Sequence, residues 1–305
     1  MSEVDAGGLR TLHHADLTLD QLLVAKAAGG RTASLVLPAR NEAATVAAVL
    51  AGLIPLRDAG LVEEVLVVDS LSTDDTAEVA RAAGATVVDV RAVHPELPVR
   101  AGKGEAMWRG LLASHGDLVA FCDADVLDAG PHFALGLLAP LLLHPEVHLV
   151  KGFYRRPIVD AAGVVEEHGG RVTELTARPL LNLYRPELAR FVQPLAGEWA
   201  GRRELLGSLR FPIGYGVEIA VLLDAHERLG LAGLAQVDLG VRTHRHQSQQ
   251  ALGVMAAEVA AAALARFGLA PIGREVAQYH PADHGLRTSP LAIDERPPAA
   301  TLASA

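Results

Sequence analysis

The chain has 305 residues, half of them apolar, a formal net charge of −9 and one cysteine, Cys122. That length suits one large α/β domain or two small ones. The acidic balance argues against nucleic-acid binding, and a lone thiol excludes an internal disulfide and favours a cytoplasmic setting. No apolar run reaches the roughly 18 residues of a membrane span, and the opening MSEVDAGGLR lacks the basic-then-apolar start of a secretory leader.

Residues 1–30 read as a helical lead-in ending at Gly29-Gly30. Residues 34–39 form a buried strand, 42–53 a helix stopped by Pro55, 64–69 a second strand, and 73–83 a helix capped by Ser72 or Thr73. A third strand spans 85–90, a helix 103–115 and a fourth strand 117–122. Strands and helices alternating at this spacing imply right-handed crossovers and a mostly parallel sheet flanked by helices. Ligands of such sheets bind beyond the carboxyl ends of the strands. After Pro131 the pattern loosens, with strands at 147–154 and 235–244 and helices at 173–184, 217–229 and 255–267. From Pro271 the chain is rich in Pro, Gly and His and reads as a tail or partner-clasping arm. With the apolar 255–267 helix it suggests a homodimer.

Three strand ends carry polar residues that converge on one sheet edge: PARNE (38–42), DSLSTDD (69–75) and DAD (123–125). Residues i and i+2 of a strand share a face, so Asp123 and Asp125 repel unless a cation joins them. Mg²⁺ takes one or two carboxylates together with phosphate oxygens and water. Asp69 is placed to accept hydrogen bonds from a base or ribose. Glu42 is placed to do likewise, or to serve as a first-turn helix acid. The stretch RAGKGEA (100–106) is no Walker A loop, but a Gly-flanked lysine at a helix start suits an anion. Lysine is scarce, at positions 26, 103 and 151 only, and residues 150–246 hold 13 basic against 11 acidic residues in an otherwise acidic chain. An anionic small molecule therefore fits the middle of the chain better than its ends.

Together PA-x-NE, DS-x-STDDT, GKGEA-x-W and D-x-D resemble the nucleotide-sugar glycosyltransferases of the GT-A fold. KGFYRRP (151–157), GGRVTEL (169–175), GYGVEI (214–219) and VRTHR (241–245) are similar to the actinobacterial glucosyl-3-phosphoglycerate synthases, close kin of the mannosyl-3-phosphoglycerate synthases. The resemblance implies a GT-A catalytic domain over 31–246, with a nucleotide-sugar half (31–125), an acceptor half (126–246) and a C-terminal helix and tail (247–305). It implies transfer of glucose from UDP-glucose, or of another hexose from its nucleoside diphosphate, to the 2-hydroxyl of 3-phosphoglycerate. The anomeric configuration is retained and the cofactor is Mg²⁺ or Mn²⁺. By the same resemblance Pro38, Ala39, Arg40, Glu42 and Ser70 surround the uridine, and Lys103 lies on the nucleotide side. Asp123, Ala124, Tyr215 and Glu218 lie near the ribose or sugar, and Asp125 and His244 on the metal. Gly170, Arg171, Thr173, Arg242, Arg245 and His246 take the acceptor. Asp125, Lys103 and Glu218 are the catalytic candidates.

The chain departs from the family pattern at three places: Arg40 stands for leucine, Leu71 for glycine and His246 for asparagine. Same-face attack is the preferred route to retention, since it requires no enzyme nucleophile. Glu218 remains open as base, nucleophile or sugar anchor. The rivals are a mannosyl or dual-donor transferase, a non-catalytic nucleotide-sugar-binding protein, and a dinucleotide oxidoreductase. The last lacks its G-x-G-x-x-G turn, since PARNEA follows the first strand.

Overall fold

In the computed structural model, which describes residues 3–5, 8–126, 130–155, 157–159, 165–167, 170–242, 248–280 and 284–302, the apolar runs align into one nine-stranded sheet. Its first seven strands are β1 (Glu3–Val4), β2 (Arg10–His13), β3 (Ala33–Ala39), β4 (Glu64–Asp69), β5 (Thr86–Asp89), β6 (Leu118–Phe121) and β7 (Leu149–Arg155). A small hairpin, β8 (Pro157–Val159) with β9 (Val165–Glu167), precedes β10 (Trp199–Arg202). The short β11 (Phe211–Pro212) stands apart, and β12 (Leu234–Val241) completes the sheet. The order is β1-β2-β12-β7-β10-β6-β3-β4-β5. Strands β3 to β6 run parallel, and β10 reverses against both β6 and β7.

The central strands are apolar on both faces because helices cover both. Alternate residues sort accordingly. Leu35, Leu37, Val65 and Val67 join one core with α2 (Val46–Asp58) and α5 (Pro131–Leu143), together with α1 (Leu19–Gly29) and α3 (Thr76–Ala82). Val36, Val68, Val119 and Phe121 join the other with α4 (Lys103–Ala113) and α8 (Val217–Leu229). On that second side α6 (Arg178–Tyr184), α7 (Arg203–Ser208) and α9 (Gln249–Arg266) complete the layer. Among the described residues no helix is long and apolar enough to cross a membrane.

The fold corrects several expectations. The lead-in is helical over α1, which Thr18 opens with a capping box, and over a short 3-10 turn at His14–Asp16; before these, β2 pairs parallel with β12. A four-residue RTLH strand has no apolar run to announce it. Helix α2 starts at Val46 and runs through Pro55. A proline lacks only its own N–H and the helix ends one turn later, so the loss is local. Helix α3 begins at Thr76 without a side-chain cap, because Ser72 instead accepts the Asn41 N–H at 3.0 Å.

The expected tail is folded onto its own chain. Strands β13 (Glu275–His280) and β14 (Gly285–Pro290) form a hairpin, and β15 (Glu295–Arg296) pairs with β11. Trp108 Nε1 then donates to Pro297 O at 2.8 Å. Helix α9 turns Val259, Ala262 and Ala263 into the chain's own second core, so its apolar sequence has an intramolecular explanation.

Candidate active site

The carboxyl edge of β3, β4 and β6 opens into a cleft of 1030 Å³. Strand β3 and its turn bring Pro38, Ala39, Arg40 and Glu42 to the wall, β4 brings Ser70, and the end of β6 brings Asp123, Ala124 and Asp125. Lys103 comes from α4, Gly170, Arg171 and Thr173 from the segment leading into α6, Tyr215 and Glu218 from the start of α8, and Arg242 from the end of β12. His244, Arg245 and His246 lie outside the described residues. Thr173 begins a π-helical turn, Thr173–Ala177, a local geometry frequent at functional sites.

The first two strand ends are stitched together by their polar residues. Ser70 N–H donates to Ala39 O at 2.8 Å, Thr73 N–H to Asn41 Oδ1 at 2.8 Å, and Glu42 N–H to Thr76 Oγ1 at 2.8 Å. Thr45 Oγ1 donates to Ala124 O at 2.9 Å, tying this turn to the third strand end. Leu71 sits at φ 61°, the left-handed region that disfavours a branched L-residue. That explains why glycine suits the position, and Leu71 compensates by packing against the second core.

The glycines flanking Lys103 serve close packing. A Cβ at Gly104 would stand 1.8 Å from Pro212 O, and one at Gly102 would stand 2.1 Å from Ile213 O. The Glu105 N–H at the helix start donates to Ile213 O at 3.0 Å, so the lysine side chain is what this helix start turns toward the cleft. Lys103 Nζ lies 2.8 Å from Asp123 Oδ1 and 2.9 Å from Glu218 Oε1. Burial opposes its charge, but Asp123 and then Glu218 outweigh that and hold Lys103 well above the ordinary lysine value. Partial burial of Asp123, whose side chain is 20 % exposed, raises its pKa, yet Lys103 and Arg242 outweigh this and press it far below the usual carboxylate range.

The guanidinium of Arg242, a residue expected at the acceptor, stands among carboxylates: Nη2 is 2.9 Å from Asp125 Oδ1, Nη1 is 2.7 Å from Glu198 Oε1, and both are 3.4 Å from Asp123 Oδ2. Nη1 also reaches Tyr154 OH at 2.6 Å. Burial works against its charge, and Glu198 leads the neighbours that raise it.

Sequence reasoning missed Glu198, Tyr154 and Gly197. Gly197 has no room for a side chain, since a Cβ there would stand 2.4 Å from Asp123 Oδ2 and 2.6 Å from Lys103 Nζ. No motif in LAGEW signals either role. Lys151, singled out for scarcity, is buried behind the cleft and donates to Ala196 O at 2.8 Å. Burial pushes its pKa down to about 7. Glu258 of α9 accepts the N–H groups of Tyr215 and Ala292, each at 2.8 Å, and so joins the cleft wall to the C-terminal segment.

The acid pair suits a hard cation. Asp123 and Asp125 converge closely enough for one guanidinium to stand between them, and Asp125 is 41 % exposed. Among the described residues no three His, Cys, Asp or Glu side chains form a metal cage. The described donors are thus the one or two carboxylates that Mg²⁺ typically accepts from protein.

Residues 34–165 match the profile of Glycosyl transferase family 2. The glucosyl-3-phosphoglycerate synthase of Mycobacterium tuberculosis (strain ATCC 25618 / H37Rv) is 49% identical over 296 residues, covering 94% of this chain and 90% of the relative. The crystal structure of the M. tuberculosis enzyme with Mg²⁺ and UDP has a TM-score of 0.88 at 48% identity, covering 96% of this chain and 98% of the other. The complex of that enzyme with Mn²⁺, UDP-glucose and phosphoglyceric acid has a TM-score of 0.85 at 48% identity, covering 93% and 95%.

Proposed function

The chain belongs to the glucosyl-3-phosphoglycerate synthases, and from that premise we propose that it transfers glucose from UDP-glucose to the 2-hydroxyl of 3-phosphoglycerate with retention. The observation that carries this reading is that the DAD carboxylates, Lys103 and Arg171 line one cleft. Pro38, Ala39, Arg40, Glu42 and Ser70 form the nucleotide end, with Asp123, Ala124, Tyr215 and Glu218 toward the sugar. Gly170, Arg171 and Thr173 form the acceptor end, where a guanidinium fork pairs with phosphate or carboxylate. Arg245 and His246 are assigned there by sequence. Asp125 and His244 are assigned to Mg²⁺ or Mn²⁺, which when bound supplies Lewis-acid stabilisation of the diphosphate.

Lys103 is held by Asp123 and Glu218 in a fixed position, so its ammonium favours negative charge growing on the leaving diphosphate without reorganising. Glu218 is buried and paired with that lysine, which suits an anchor and orienter better than a free nucleophile. The acceptor hydroxyl then attacks from the face the diphosphate leaves, and a leaving phosphate oxygen takes its proton. In this division residues 31–125 serve the nucleotide sugar and 126–246 the acceptor.

The test is a nucleotide-release assay with Mg²⁺, 3-phosphoglycerate and a panel of UDP- and GDP-sugars. UDP release from UDP-glucose that depends on acceptor is expected, with GDP-mannose a poor donor. Release from no donor would end the reading. Two further parts belong to the proposal. The enzyme acts in the cytoplasm, where its one buried thiol stays reduced. It also forms a homodimer through the apolar surface of Leu269, Ile272, Tyr279 and Leu286, which are 49, 99, 56 and 72 % exposed. Light scattering at the mass of the single 32.0 kDa chain would remove the dimer.

A further inference from the structure

Resting on the metal-dependent reading above, we propose that Arg242 is a built-in counter-ion which Asp125 exchanges for the cation, so that metal and donor bind as a coupled pair. One guanidinium reaches both acids of the DAD stretch, at 2.9 Å from Asp125 Oδ1 and 3.4 Å from Asp123 Oδ2. It neutralises the repulsion between them that would otherwise raise one carboxyl's pKa.

The two ends of this contact differ in freedom. Arg242 is 5 % exposed and clamped from behind by Glu198, which is fully buried. It also bonds Tyr154 OH at 2.6 Å and lies 5.1 Å from that ring's centroid. Asp125 is 41 % exposed and short. A divalent ion arriving at Asp125 is repelled by the guanidinium and competes with it for the same carboxylate. Arg242 is held in place, so Asp125 is the group that turns. Its departure leaves Nη2 facing the cleft with a hydrogen to donate, and an anionic oxygen of a nucleoside diphosphate is a suitable acceptor. The cation alone must break the Asp125 contact without replacing it. A diphosphate arriving with the cation supplies both the missing metal ligands and a new partner for Nη2. Replacing a charge-assisted hydrogen bond of this kind corresponds to a shift of about tenfold or more in the competing equilibrium.

The probe is Mn²⁺, whose binding is read directly by the loss of the free-ion electron paramagnetic resonance spectrum, independent of turnover. Wild type is expected to bind Mn²⁺ about tenfold more tightly with saturating UDP than without it. Two variants are compared. Arg242→Lys keeps a charge opposite Glu198, but one ammonium cannot span Glu198, Tyr154 and Asp125 together. The double variant Arg242→Gln/Glu198→Gln removes the buried charges as a pair, which protects folding. In whichever variant keeps a cooperative urea transition, nucleotide-free Mn²⁺ affinity is expected to rise about tenfold and the UDP enhancement to shrink. A folded variant with the wild-type nucleotide-free affinity overturns the exchange while leaving the transferase reading intact. A wild type that takes up no Mn²⁺ even with UDP overturns both.

Discussion

Lys103 and Glu105 stand two residues apart on α4 and enter opposite electrostatic settings. Glu105 is fully buried and flanked by two guanidiniums: Arg109 Nε at 2.8 Å, and Arg296 through Nε at 2.6 Å and Nη2 at 2.7 Å. Both arginines pass further N–H groups to carbonyls, those of Val93 and Leu97 from Arg109 and that of Pro98 from Arg296. Around Lys103 and Arg242 the balance is reversed. The carboxylates of Asp123, Asp125, Glu198 and Glu218 outnumber the two cations, and the cluster opens into the cleft. A buried network with its bonds met ties elements together. A cluster with surplus acid at a cleft is set to take up a cation. One helix therefore carries a closed charge cluster on one side and an open, acid-rich cluster at the cleft on the other.

The largest effects expected fall on the open cluster. Lys103→Ala and Asp125→Ala should each lower kcat by about 10²-fold or more; the urea midpoint stays near wild type for Asp125→Ala, whose side chain is 41 % exposed, and falls for Lys103→Ala, which strips Asp123 and Glu218 of their ammonium. Near-normal turnover in either would show that the open cluster is not where chemistry happens. Glu105→Gln should do the reverse: stability falls by about 3–5 kcal/mol, because two buried guanidiniums lose their acid, with KM for the donor little changed. An unaltered midpoint together with lost activity would erase the distinction between the two clusters.

Next comes the lysine behind the cleft. Burial depresses the pKa of Lys151 from 10.5 to about 7 in the folded chain. Between those pH values the unfolded chain binds the extra proton, so this group's contribution makes stability rise with pH. Wild type should gain on Lys151→Met as pH climbs from 7 toward 10 in paired urea titrations, and parallel curves would refute the depressed pKa. The smallest effect belongs to the left-handed turn. Leu71→Gly relieves backbone strain of about 1–2 kcal/mol but gives up apolar packing, so the melting transition should move by no more than about 1 kcal/mol equivalent. A larger loss would mean that Leu71 packing, not turn geometry, holds the loop.

Much of the site was legible because strand ends are read locally. A β-run that stops at PARNE, DSLSTDD or DAD announces its edge, and a parallel sheet brings such edges together by topology. Arg242 was legible as part of the VRTHR stretch, but not through the residues it pairs with. Its partners Asp123, Glu198 and Tyr154 are 119, 44 and 88 residues away, and no spacing rule spans such intervals. The C-terminal segment misled for a related reason. Pro- and Gly-rich composition describes backbone freedom, and it is silent on Arg296, whose acid partner lies 191 residues earlier.

What the amino-acid order determined by itself was the α/β alternation and the edge of the sheet, which rest on short periodicities and contiguous polar stretches, and, through the resemblance its motifs carry, the family of chemistry. The tertiary structure decided how the charges pair. Lys103 faces a cleft and Glu105 an interior because glycines 102 and 104 let α4 approach the 212–214 backbone. Arg242 holds the DAD acids because β12 and β6 lie in one sheet, separated by β7 and β10. Coulomb interactions depend on distance in space and on burial, and the fold sets both.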